Sequence, residues 1–592
     1  MENTALIIFT KNLSPKDKKV LQQQSLYEVV VSPEEVREEV ALLARTWVSI
    51  EEYIAPGSIY EASILADELS RAVLPDGTRV TKSFMYKGFE LWWIHYNTLF
   101  LSLCMPFIRY KALLEYVKEY REVHVHGVSC NQLVFSAYLT AHGCTVRFLN
   151  ESQSLVRTLF PVGILVQIFL TLLSLPVLMV TRQKVLVFTG DKFAKGGDYD
   201  FRMEYIYREL RKQKISFVES IRSLESWKTV LAHAYIRKRP VLYATAIMYV
   251  ARYISIFTWS HHKQVRLFSP EKFSSVPDPE KRFKLIFATQ CLTTAYYDVW
   301  EIRMQRVLLR FIGVKAMFAP AANERNLHTV LGAKLNKIPT IGILHGSASQ
   351  YYNAYDFTPS YDGEKSMSVD TYGLWSEWWK EYYSMYSKAY RKEQLCVSGL
   401  MRPYDIPQVT NVIAVRGQVP LRVLFVSEQL AVPSEIIPYL EALSRRKDVE
   451  TYLVFRPYRD EFEAWLTKNR PDILSMFGEE RILRNGIKEA LASGDVVVGS
   501  HSTAVLEALF QKKPMVFFET KKWGDYFSLA GYSTEYSFYA HSPSELIDAI
   551  QKITSIPVHV LEKLEERFFG DPSRNGSKWV VDRIASMLRD TN

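Results

Sequence analysis

Short apolar runs of strand length alternate with helical patterns along most of the chain. The pattern predicts buried strands at residues 5–9, 122–126, 145–149, 184–188, 216–219, 284–288, 314–319 and 340–344. A second series follows at 422–426, 451–455, 496–498 and 515–518. Near-continuous apolar runs mark strands buried on both faces, and strands alternating with helices build parallel sheets covered by helices. The expected fold class is therefore α/β, with two Rossmann-like domains facing a cleft. Residues 353–416 break the pattern with Pro359, Gly363, a run of Tyr and Trp, and Ser398-Gly399-Leu400-Met401-Arg402-Pro403. Such punctuation reads as a crossover. The chain divides on this reading into an N-terminal Rossmann-like domain over 1–350, a crossover over 351–420 and a C-terminal Rossmann-like domain over 421–592. The last helices are expected to pack back across the cleft.

Three longer apolar stretches lie in the first domain, at about 91–108, 159–180 and 240–259. The middle one carries no charge between Arg157 and Arg182, which is long enough to cross a bilayer. Predicted strands on either side argue against a crossing, because a shared sheet would be divided by the membrane. Pro161 and Pro176 predict a broken or re-entrant helical hairpin. The favoured reading is monotopic attachment, with these helical insertions facing the membrane and dipping into its cytoplasmic leaflet. Buried core helices and a true span are the alternatives. The formal charge of +9 fits anionic substrates, an anionic membrane surface, or both. Long basic runs are missing, so no nucleic-acid partner is expected. The five cysteines are far apart and form no C-x-x-C pair, which argues against a disulfide framework or a zinc site. With no basic segment ahead of the first apolar run, the expected setting is cytoplasmic.

Candidate chemistry gathers at predicted strand ends. The strand at 496–498 runs into Gly499-Ser500-His501-Ser502-Thr503 and then a helix with apolar positions at Val505, Leu506 and Leu509. Free amides at a helix start, aided by the Ser502 and Thr503 hydroxyls, make an anion site. The chain has no P-loop, so the expected anion is the phosphate of a sugar nucleotide. Ser500 and His501 belong to the same turn, and Glu507 lies one helical turn on, placed for ribose hydroxyls. His345-Gly346-Ser347 closes the strand at 340–344 and offers an imidazole and a glycine where open α/β folds bind ligands. Arg456 follows the strand at 451–455 and presents a guanidinium to a phosphate or carboxylate, or else pairs with Asp460 or Glu461. Glu428 ends the strand at 422–426, to meet a hydroxyl or to cap a helix. In the first domain the glycine-rich loop at 189–202 carries Asp198 and Asp200, which with Glu219 are candidate general bases for an acceptor hydroxyl.

The order of these motifs resembles the second half of GT-B glycosyltransferases of bacterial surface polysaccharide synthesis. The order is a strand ending in His345-Gly346, Asp370-Thr-Tyr-Gly-Leu-Trp-Ser-Glu, Val397-Ser-Gly-Leu-Met-Arg-Pro-Tyr-Asp, a strand ending in Arg456-Pro457, and the Gly-Ser-His-Ser-Thr unit. The nearest groups are the capsule polysaccharide, polysialyltransferase-like and CDP-glycerol glycerophosphotransferase-like enzymes, and the likeness covers roughly 313–565. It implies a GT-B-like fold whose donor site is lined by His345, Arg456, Ser502, Thr503 and Glu507. It also implies transfer from an activated nucleotide to a membrane-associated glycan or lipid acceptor, with no metal or other cofactor. Those relatives often carry His-Pro where this chain has Arg456-Pro457-Tyr458. A UDP-sugar 2-epimerase-like isomerase, or a non-catalytic glycan-binding or assembly protein, would use the same phosphate turn.

Overall fold

The computed structural model describes residues 3–22, 27–54, 59–127, 131–149, 162–181, 185–191, 200, 203–320, 326–346, 358–401, 420–427, 432–456, 460–521, 524–553 and 555–590. Among the described residues are three parallel sheets, each covered by helices, and one two-stranded antiparallel ribbon of Met85–Tyr86 and Phe89–Glu90. The first joins β1 (Thr4–Ile8), β2 (Tyr27–Ser32), β3 (Ala44–Ser49), β4 (Glu122–His126) and β5 (Thr145–Phe148), in the order β3-β2-β1-β4-β5. The second joins β6 (Val185–Gly190), β7 (Phe217–Arg222), β8 (Val241–Tyr243), β9 (Ala316–Phe318), β10 (Thr340–Ile343), β11 (Thr371–Leu374) and β12 (Leu395–Val397), in the order β8-β7-β6-β9-β10-β11-β12. The third joins β13 (Leu421–Val426), β14 (Val449–Val454), β15 (Ile482–Leu483), β16 (Val496–Gly499), β17 (Met515–Phe518) and β18 (Tyr539–Ala540), in the order β15-β14-β13-β16-β17-β18. The α/β class with a pair of Rossmann-like domains is thus present in the second and third sheets.

The division along the chain differs from the sequence reading. Residues 1–350 carry two sheets, because β1 pairs with β2 and β4 while β6 pairs with β7 and β9. Strand pairing is a long-range choice that a run of apolar residues does not encode. Two strands fall inside the expected crossover: β11 and β12 extend the second sheet to residue 397. The run at 284–288 belongs to a helix, Pro279–Gln290. Asp278 starts it by accepting the Glu280 N–H, with Pro279 in the first turn.

Six helices matter below: α1 (Val162–Thr181), α2 (Ala244–Ile256), α3 (Ala295–Ile312), α4 (Leu327–Leu335), α5 (Val558–Phe569) and α6 (Gly576–Asp590). α1 is continuous through Pro176 rather than broken, and is long and apolar enough to cross a membrane. Pro161 lies outside the described residues. The stretch at 91–108 is not a membrane-facing insertion. Trp92, Trp93, Tyr96 and Phe100 are buried core, and the Trp92 indole N–H donates to Ala288 O at 2.7 Å. Two C-terminal helices bind the second and third sheets together. Trp379 Nε1 donates to Phe568 O at 2.9 Å, and Ser376 Oγ donates to Arg567 O at 2.6 Å, at the end of α5. α6 then buries Val580, Val581 and Ile584 against β6, β9 and β10 of the second sheet.

Candidate functional site

Each of the last two sheets has a point where the strand order reverses, and ligands of open α/β folds bind beyond the carboxyl ends of strands there. In the third sheet the reversal lies between β13 and β16. Ser427 leaves β13 and donates to Asp460 Oδ2 at 2.5 Å. The same oxygen accepts the Arg456 N–H at 2.9 Å, and Oδ1 accepts the N–H groups of Phe462 and Glu463 at 2.9 and 3.0 Å. Asp460 is therefore a buried helix cap that fixes the backbone of Arg456, whose side chain is exposed at the end of β14. Beyond β16, Ser500 Oγ and His501 Nδ1 share a hydrogen bond of 2.9 Å in a buried turn. Ser502 and Thr503 are half-buried, and Ser502 Oγ accepts the Ala504 N–H at 3.3 Å. The helix expected here is short: Thr503–Leu506 is α, Glu507–Gln511 is 3-10, and Lys512 ends it at φ 52°. The turn therefore offers an anion local amides and hydroxyls rather than the dipole of a long helix. Glu507 lies at the α to 3-10 junction, half-buried.

In the second sheet the reversal lies between β6 and β9. His345 is exposed at the end of β10. A Cβ on Gly346 would meet nothing within 4 Å, so space beside it is open and no protein neighbour demands the glycine. Asp200 is fully buried, which removes it from reach of an acceptor in the cleft. Glu219 is buried too, accepting from Tyr207 Oη at 2.8 Å and Arg239 Nε at 2.7 Å. Asp198, Ser347 and Glu428 lie outside the described residues. Asp198-Tyr199-Asp200 is a D-x-D triplet, a pattern that can hold a metal, but with its second carboxylate buried. Among the described residues no His, Cys, Asp or Glu group has the geometry of a metal site.

The same edge holds two charged clusters that carry no sequence motif. Asp191, just past β6, is buried and accepts from Arg237 Nη2 at 2.6 Å, with His233 Nδ1 at 3.0 Å. Burial pushes its carboxyl up, but a hydrogen bond from Ser223 and the Arg237 charge hold it below the usual range. The second cluster centres on Asp298, in the first turn of α3. Its two oxygens meet His95 Nε2 at 2.7 Å and His328 Nε2, in the first turn of α4, at 2.8 Å. Burial opposes charge on Asp298, and the two imidazoles overcome it to leave the carboxyl at about 2. Glu301, one helical turn on, is raised by burial. His328 is also opposed by burial, yet Glu301 and Asp298 together raise it. His95 lies 203 residues from Asp298. No motif in the sequence marks this cluster, because its members come from three separate segments.

An aromatic chain links the two edges. The His501 ring lies 5.9 Å from Tyr526, Tyr526 5.0 Å from Phe527, Phe527 5.8 Å from Phe568 and Phe568 5.1 Å from Trp378. Trp378 follows the carboxyl end of β11, so aromatic contacts run from the Ser500–Thr503 turn to the second sheet.

No known family profile and no curated protein matches the chain. Among solved structures, it is similar to the lipopolysaccharide outer core galactosyltransferase WaaB in its apo form, at TM-score 0.39 and 11% identity, over 68% of this chain and 99% of that one. It is similar to Acinetobacter baumannii MurG, at TM-score 0.37 and 11% identity over 68% and 99%. Anabaena Alr3699/HepE, solved in complex with UDP and glucose, gives TM-score 0.36 and 13% identity over 68% and 99%. The fold assignment itself rests on the parallel sheets, their strand order and the returning C-terminal helices.

Proposed function

We propose that this chain is a GT-B-type, nucleotide-sugar-dependent glycosyltransferase. It transfers a sugar or sugar-like unit to a membrane-associated glycan or lipid acceptor in surface polysaccharide biosynthesis, at the cytoplasmic face of the membrane. The observation that supports this reading is the turn at Ser500–Thr503, which lies beyond the carboxyl end of β16 at the reversal point of the third sheet, with Ser502 and Thr503 half-buried. Amides and hydroxyls at Ser502 and Thr503 hold the leaving phosphate, with Arg456 adding positive charge and His345 a hydrogen bond from neighbouring strand ends. Preorganised donors aimed at developing negative charge are a large source of rate acceleration. On the acceptor side, the half-buried imidazole of His95, held through Nε2 by Asp298, replaces the buried Asp200 as the candidate to take the hydroxyl proton. Glu507 faces the ribose. No cofactor is required in this scheme.

A thermal-shift screen against UDP, GDP, CDP, CMP and their sugars tests the reading. At about 100 times Kd a ligand stabilises the folded chain by ~2.7 kcal/mol. One nucleotide should raise the melting temperature, and Ser502→Ala with Thr503→Ala should abolish that shift. A shift that survives the double substitution would move the donor site elsewhere. Turnover of a free nucleotide sugar with no acceptor present would replace transfer with epimerisation.

A further inference from the structure

Helix α1 is built inside out. Gln167, Thr171 and Ser174 have the spacing of one helix face, and that face is buried. Thr171 Oγ1 accepts the Tyr243 N–H at 3.1 Å, and Ser174 Oγ accepts the Val241 N–H at 3.1 Å. Gln167 Nε2 donates to Ser223 O at 3.3 Å. Strand β8 is the edge of the second sheet, so its outward N–H groups have no neighbouring strand, and these hydroxyls satisfy them. The consequence lies on the other side, where Leu165, Phe169, Leu172 and Leu173 are each more than half exposed. Phe257 beyond α2, and Val307 and Phe311 on α3, add further exposed apolar side chains. Contiguous apolar surface of this kind marks a binding face.

A groove of about 500 Å³ runs between α1, α2 and α3. Leu172, Ile247, Val250, Trp300 and Met304 line it. Its volume lies within the ~300–1,000 Å³ of small-molecule sites. Arg303 supplies the charge, with its guanidinium over the rings of Trp300 and Tyr86. The groove begins near the carboxyl edge of the sheet: Ile247 is two residues past Thr245, which bonds the Ser223 backbone, and Trp300 adjoins Glu301. No Asp or Glu lines the groove, and Asp298 and Glu301 are buried on the same helix, α3. Between Glu225 and Glu271 the chain has no Asp or Glu, while Lys228, Lys238, Arg252, Lys263 and Arg266 are exposed. A long apolar chain with an anionic head complements both properties.

We infer that this groove holds the hydrocarbon chain of a lipid phosphate, and that its head group reaches the Asp298 edge as the acceptor. Only the word acceptor rests on the glycosyl-transfer reading; chain binding stands apart from it. The test uses the full-length protein and farnesyl phosphate as the probe, in equilibrium dialysis. Saturable binding is expected, weakened at least tenfold in Val250→Trp and in Leu172→Trp, which fill the groove from α2 and from α1. Arg303→Gln should weaken farnesyl phosphate and leave farnesol unchanged. The nucleotide thermal shift should survive all three variants, and that also shows that they fold. Saturable farnesyl phosphate binding without any nucleotide shift would overturn the transferase and keep the groove. A nucleotide shift without saturable binding would overturn the groove alone. Two other results would overturn it: a dimer in sedimentation that Val250→Trp dissociates, or binding to phosphatidylglycerol vesicles with no affinity for the single-chain phosphate.

Discussion

Asp298 shows how one buried carboxylate sets a pH window. Its folded pKa is depressed to about 2, so its stabilisation is complete above the unfolded value of ~3.9 and is lost as the pH falls towards 2. His328 is shifted the other way. Its folded pKa is raised, so its contribution is complete below ~6.5 and is lost as the pH rises through the folded value. Urea midpoints measured across pH should therefore peak between about pH 4 and 6.5. Asp298→Asn should flatten the acid limb and His328→Gln the alkaline limb. Near pH 6, Asp298→Ala should cost roughly 3–5 kcal/mol, because it leaves buried partners without their counter-charge. An unchanged pH profile in either variant would remove the cluster from the stability argument. Ser502 poses a different question, since its hydroxyl caps Ala504 N–H in the free protein. Ser502→Ala should cost ~1 kcal/mol and Ser502→Gly only a few tenths, while both lose the hydroxyl offered to a phosphate. If nucleotide affinity follows stability rather than the hydroxyl, Ser502 is a cap only. The turn at 499–503 was legible because strand, small residues and helix are contiguous in sequence. The Asp298 cluster was not, because its members come from three separate segments.

Among elements, α1 departs most from its sequence pattern. Its polar residues are few, and hydropathy alone reads them as interruptions in an apolar span. They are instead what the sheet requires, since an edge strand with unpaired N–H groups must find acceptors. Thr171→Val is nearly isosteric and leaves the Tyr243 N–H unsatisfied, at a cost of about 1–3 kcal/mol. Ser174→Ala should cost a similar amount through Val241. Amide hydrogen exchange at Tyr243 and Val241 reads the effect directly: protection should fall in β8 and persist in β6. Equal protection in both variants would mean that the hydroxyls do not hold the edge. The run at 284–288 failed for the converse reason. Its apolar length suited a strand, and the start signal Asp278-Pro279 was the better guide to a helix. Strands β2 and β3 were missed because Glu28, Arg45 and Thr46 interrupt their apolar character, as expected towards a sheet's edge.

Among the described residues three parallel sheets follow one another along the chain, and the last two share a returning C-terminus. Alternation of strands and helices made the α/β class plain. It said nothing about which strands pair, so two sheets within 1–350 were read as one. The return path depends on one backbone position. Gly399 has φ 78°, and a Cβ there would meet Arg574 O at 2.6 Å. Just beyond it, Leu400 pairs with Asn575 and its carbonyl accepts the Gly576 N–H at 2.8 Å. That contact delivers α6 to the second sheet, where Val580, Val581 and Ile584 complete the core over β6, β9 and β10. Gly399→Ala introduces left-handed strain of about 1–3 kcal/mol and pushes the crossing apart. Ile584→Ala, on the far side of the same packing, should cost about 2–5 kcal/mol through the cavity it leaves. Both losses fall on the second sheet, whereas the Ser500–Thr503 turn belongs to the third. Both variants should therefore become more sensitive to proteolysis between residues 185 and 401 while the nucleotide-dependent shift persists. Loss of that shift in Gly399→Ala, with stability otherwise retained, would mean instead that the returning helices position the donor site itself.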